Sequence, residues 1–128
     1  MSSELTILAY SGLLAIVLIL IQVLAAWGQV GLPMLASPRD NMPKLTGTAG
    51  RLDRAQKNMV VALALFAPAI FLLQAQGGFS DNSLLAAQIF LIARILHPVI
   101  YFLGIPWLRT LDWTAGFLAT AWLYLMAL

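Results

Sequence analysis

Arg94, His97 and Tyr101 stand at offsets of 0, 3 and 7 residues, and Arg51, Arg54 and Asn58 repeat those offsets earlier in the chain. At about 100° per residue, each set forms a narrow strip along one face of a helix. Guanidinium forks, a phenol, an imidazole and an amide are the groups that hold an anion and stabilise a thiolate, chemistry that needs neither a metal nor a cysteine of the protein. The chain has one histidine and no cysteine, so a histidine-built metal centre, a thiolate site, a disulfide and a cysteine nucleophile are all set aside. Asp53 and Lys57 form an i,i+4 pair on another side of the same helix and read as interfacial solvation.

The elements that position these groups are apolar. Of the 128 residues, 62% are hydrophobic and only 9% are charged, where soluble domains carry roughly 25% charge. Four runs are expected to span a bilayer as helices, at about 5–30, 54–76, 84–105 and 111–128. The fold class that follows is all-α, an integral membrane four-helix bundle in a single domain over 1–128. The first run is read as retained, because Glu4 stands where a signal peptide carries a basic leader. Residues 31–50 hold Pro33, Pro38, Pro43, Gly47 and Gly50 and read as a loop; the stretch "GGFSDN" reads as a tight turn; Pro106 is expected to close the third helix.

Arg39, Lys44, Arg51, Arg54 and Lys57 all fall between the first two runs or at the start of the second, whereas the second connection carries only Asp81. The bias toward basic residues predicts a cytoplasmic first loop with both termini on the non-cytoplasmic side. The small excess of +2 fits topology rather than nucleic-acid binding. Topology does not account for Arg94, which lies roughly 15 Å into the third run at about 1.5 Å per residue. A charge that deep costs at least about 2.5 kcal/mol and is expected to face protein, a wet cavity or a ligand. Pro98 frees the carbonyl of Arg94 from its usual intrahelical donor, which favours a polar pocket at that level.

The run "RLDRAQKN" at Arg51–Asn58 and the run "ARILHPVIYFLGIPWLR" at Ala93–Arg109 resemble the MAPEG family, the membrane-associated proteins of eicosanoid and glutathione metabolism. The resemblance extends over nearly the whole chain. It implies a homotrimer of four-helix subunits with glutathione sites between neighbours, opening toward the cytoplasmic half. It also implies that Arg54 and Asn58 contact glutathione, with Arg51, Gln56, Arg94 and His97 in the same binding set. Tyr101 matches a glutathione-contacting tyrosine, and Arg109 matches the arginine that holds the sulfur as thiolate. One position departs from the pattern: where the family carries a glutamate three residues after the asparagine, this chain has Val61. Valine neither accepts a hydrogen bond nor balances an amino group.

The expected function is a glutathione-dependent membrane transferase or peroxidase acting on lipophilic electrophiles, with glutathione as cosubstrate and membrane lipid and a hydrophobic small molecule as partners. The alternative is a noncatalytic protein of the same fold that binds a lipid or another anion, which Val61 favours. A small channel or transporter ranks below both, because the polar residues do not run through all four helices.

Overall fold

The computed structural model describes residues 3–128 as five helices: α1 (Ser3–Val30), α2 (Leu32–Ala36), α3 (Gly47–Gln76), α4 (Asp81–Leu103) and α5 (Pro106–Ala127). In hydrocarbon every backbone N–H and C=O must find a partner within the segment, which leaves helices as the economical solution for such apolar runs. α1, α3 and α4 are long and apolar enough to cross a membrane, with mean hydropathies of 2.6, 2.0 and 1.8. The chain is an all-α membrane protein with several apolar spanning helices.

α3 and α4 form the centre of the bundle. Each packs against the other, against α1 on one side and against α5 on the other, while α1 and α5 do not touch among the described residues. The rings of Phe66 and Phe90 stack at 3.8 Å between centroids and lie nearly parallel, surrounded by Ile70, Leu73, Ala86, Ala87 and Leu123. α4 and α5 approach closely because the residues at their contact are small: a Cβ on Gly116 would lie 3.5 Å from the Cβ of Ala93. Small residues serve this purpose where lipid supplies no hydrophobic drive between helices.

Several expected boundaries move. α3 begins at Gly47 rather than at Arg54, so the whole basic run is helical, and Gly50 packs its bare α-carbon against the Leu45 carbonyl. Inside the expected first loop, Pro33 sits in the first turn of the short α2, where its missing N–H leaves no bond unmade. Pro106 does not close the third helix. Gly104, left-handed at φ 73°, caps α4 with its N–H directed to the carbonyls of Ile100 and Tyr101, and Pro106 starts α5. Arg109 therefore lies in the first turn of α5 rather than in a connection.

Glu4 has a packing role that its charge alone did not indicate. Its carboxylate is buried and accepts a hydrogen bond from Ser83 Oγ at 2.8 Å. Ser83 belongs to the capping box that Ser80 forms at the head of α4, so an anion sits where the helix dipole favours one and ties α1 to α4.

Candidate functional site

Helices α3 and α4 run antiparallel, and their polar strips meet in that register. Near the α4–α5 connection, Arg54 Nε donates to the Tyr101 hydroxyl at 2.9 Å. One turn deeper, Arg94 Nη1 donates to Asn58 Oδ1 at 2.9 Å, and Arg94 Nε lies 3.3 Å from the sulfur of Met59. The guanidinium of Arg109, delivered by the first turn of α5, lies 4.9 Å from the centroid of the Tyr101 ring, and that of Arg54 lies 5.9 Å from it. His97 completes the strip on α4, its ring 5.6 Å from that of Tyr101.

These groups surround two neighbouring hollows between α3, α4 and α5. The outer one, about 390 Å³, is of mixed polarity and is lined by Asn58, His97, Tyr101, Arg109, Thr110 and Trp113. The inner one, about 80 Å³, is mostly apolar, with Val61, Leu65, Phe90 and Phe117 among its walls and Arg94 at its inner side. Asn58 and Trp113 border both.

Within the chain, Arg54, Asn58, Arg94, His97, Tyr101 and Arg109 converge. Arg51 and Gln56 do not join them. Arg51 is exposed, and Gln56 lies toward α1, where it donates to Asp53 Oδ1 at 3.5 Å and lines a separate hollow with Lys57 and Trp27. Asp53 and Lys57 pair at 2.9 Å, apart from the cluster.

Arg94 and His97 are almost wholly buried, at 3% and 1% exposure. Among the described residues, three buried side-chain polar atoms lack a hydrogen-bond partner: Arg94 Nη2, His97 Nδ1 and Asp112 Oδ2. All three belong to α4 and α5, where Arg94 borders the inner hollow and His97 the outer one. Buried polar groups are ordinarily satisfied, so three such atoms gathered in one place point to a binding region rather than to scattered packing faults.

Asp112 is the residue that sequence reasoning passed over. Its carboxylate lies close enough to Arg94 to interact with it electrostatically and supplies the deep arginine with a countercharge. The signal was present: an acid in an apolar run, three residues after Arg109 and hence on the same helical face. Trp113 was likewise passed over, although it borders both hollows and stacks on Phe117 at 5.0 Å.

Chemically, the outer hollow presents the Arg109 guanidinium and a phenol whose oxygen already accepts a hydrogen bond from Arg54 Nε, leaving the phenolic O–H free to donate. Such a set holds an anion and favours a thiolate over a thiol. The model of the MAPEG family matches this chain over residues 7–128, while no curated protein and no solved structure matches it.

Proposed function

Since the chain belongs to the MAPEG family, a group broadly linked to glutathione and lipid metabolism, we propose that it is a glutathione-dependent membrane transferase or peroxidase acting on lipophilic electrophiles. The observation that carries this reading is the convergence of Arg54 and Arg109 on Tyr101, with Arg94 and Asn58 joined one turn deeper. Arg54 and Asn58 bind the carboxylate and amide groups of the tripeptide. Arg109 and the Tyr101 hydroxyl stabilise its sulfur as thiolate, and His97 and Arg94 support the wall behind them.

In the transferase reaction the thiol proton passes to solvent, the sulfur forms a bond to an electrophilic carbon, and any leaving group departs with its electron pair. In the peroxidase reaction two glutathione molecules are oxidised to their disulfide while a hydroperoxide is reduced to an alcohol and water. The site opens toward the cytoplasmic half of a homotrimer, the first loop lies in the cytoplasm and both termini lie outside. Neighbouring subunits bring Gln56 and Arg51 to the site that a single chain leaves them outside.

The test is glutathione binding to the detergent-solubilised protein beside an Arg54→Ala variant. A charge-assisted hydrogen bond is worth about 1.5–3 kcal/mol, so the variant is expected to bind at least about tenfold more weakly. Absence of binding in both proteins removes the proposal. Val61 favours a second reading, a noncatalytic protein holding a lipid or another anion, because no carboxylate stands there to receive the amino group of glutathione. Lipid retained through purification and not displaced by glutathione selects that reading.

A further inference from the structure

We infer that the separate hollow between α1, α2 and the start of α3 is a headgroup site for an anionic phospholipid, with the phosphate received by Arg39 and Lys44 and an acyl chain lying along α1. The inference uses none of the residues proposed to hold the sulfur, and it stands whether or not the chain acts on glutathione.

At about 780 Å³ this hollow falls within the roughly 300–1,000 Å³ of ligand sites. Val23, Ala26 and Trp27 of α1 and Leu35 of α2 supply apolar lining, and Arg39 and Lys44 of the connection supply charge. Asp53 also borders the hollow, but Lys57 takes it at 2.9 Å in the one ion pair among the described residues. Arg39 and Lys44 are in no ion pair, and Asp40 does not line the hollow. An anionic headgroup is therefore favoured over a zwitterionic one, whose amine would find no free carboxylate there.

Arg39 is held in a shape that receives a phosphate. It is the one non-glycine residue with positive φ among the described residues, at 68°, a conformation that glycine adopts far more readily. Its backbone N–H donates to Ser37 Oγ at 3.1 Å and its Nε to the Leu35 carbonyl at 3.0 Å, which folds the side chain back over the end of α2. Its two Nη groups keep no hydrogen-bond partner and belong to a side chain that borders the hollow. Backbone strain persists where a ligand clamp needs it, and a fixed guanidinium fork matches phosphate oxygens.

The apolar lining says whose phosphate it is. Ile16, Leu20, Val23 and Trp27 recur at helical spacing and are all exposed, a stripe along one face of α1 that reaches the hollow. From Ile16 to Trp27 the stripe runs about 16 Å, roughly half of a hydrocarbon core of about 30 Å and hence the depth of one leaflet. A free phosphate makes no use of such a stripe. A phospholipid whose chain follows it holds its own phosphate where apolar sequence gives way to Arg39 and Lys44. Basic hollows between helices at a membrane surface receive headgroups of this kind.

The test uses the full chain with Trp107, Trp113 and Trp122 replaced by Phe, which leaves Trp27 the only tryptophan. The protein is reconstituted in phosphatidylcholine bilayers that carry either brominated phosphatidylglycerol or, in a matched set, brominated phosphatidylcholine. Half-maximal quenching of Trp27 is expected at an at least about fivefold smaller fraction of the anionic lipid, the factor that one cation beside an anionic lipid supplies. Replacing both cations, Arg39→Gln with Lys44→Gln, is expected to abolish the difference. Arg39→Gly suits the left-handed backbone and keeps the fold, yet is expected to reduce the difference as well. Inorganic phosphate and glutathione, each at matched ionic strength, are expected to leave the quenching unchanged. Equal quenching by the two lipids, or a preference that survives the double substitution, overturns the inference. Displacement by inorganic phosphate would make the hollow a free-anion site, and displacement by glutathione would make it an extension of the glutathione site; either result overturns the inference too.

Discussion

Tyr101 accepts from Arg54 Nε at 2.9 Å, and this fixes what the phenol can do next. With its oxygen already holding one proton donor and Arg109 beside the ring, its own O–H is free to donate to an anion. Removing that hydroxyl in Tyr101→Phe is expected to lower kcat/KM for glutathione conjugation about 10²-fold, the scale seen when one donor to a developing anion is lost. The thiolate absorbance of bound glutathione, followed against pH, should shift to higher pH in the same variant, since the thiolate loses a stabilising donor. The deep Arg94 depends on a different neighbour. Asp112→Asn keeps the shape but removes the countercharge, and a loss of about 1–3 kcal/mol in unfolding free energy in detergent is expected. The strips at 51, 54, 58 and at 94, 97, 101 were legible because helical spacing is a property of one chain segment. Asp112 showed only as an acid in an apolar run; its partner was not legible, because that arginine lies on another helix.

At the scale of the helix, the start of α3 decides whether Arg54 and Asn58 reach α4 at all. Gly50 lies where the chain leaving Leu45 crosses the new helix, and a Cβ added there would stand 2.7 Å from the Leu45 carbonyl oxygen and 3.5 Å from Arg54 Nη1. Gly50→Ala is therefore expected to displace the first turns of α3, at a cost of about 1–3 kcal/mol typical of overpacking, and to weaken glutathione binding together with stability. Gln29, at the end of α1, holds the same junction from the other side: its amide exchanges hydrogen bonds with the backbone N–H, the carbonyl and the hydroxyl of Thr46. Gln29→Ala should loosen that junction, read as faster amide exchange in residues 46–50, while the hydrogen bonds between α3 and α4 persist. Apolar run length disclosed the long helices, since spanning a bilayer leaves little choice. Their ends were less legible: glycines and prolines announce a change of direction, but Gly104 and Pro106 show that whether one stops a helix or starts the next depends on which carbonyl the cap N–H can reach.

For the whole molecule, the basic residues and the polar cluster occupy the same end, where α1 hands over to α3 and α4 to α5, while Glu4, Ser80 and Ser83 close the opposite end. The proposed orientation thus gives the site access to cytoplasmic glutathione and gives the exposed flanks of α3 and α5 access to lipid. The chain has no cysteine of its own, so single cysteines report orientation without background. Ser37→Cys, in the basic connection after α2, and Asn82→Cys, at the head of α4, are both clear of the packed core. In sealed vesicles with the cytoplasmic face inward, a membrane-impermeant maleimide is expected to label Asn82→Cys at once and Ser37→Cys only after permeabilisation. The reverse order would place the proposed glutathione site on the other side of the membrane and remove its cytoplasmic supply. Equal labelling of both before permeabilisation would mean that α3 does not cross, and the bundle's two ends would then share one compartment.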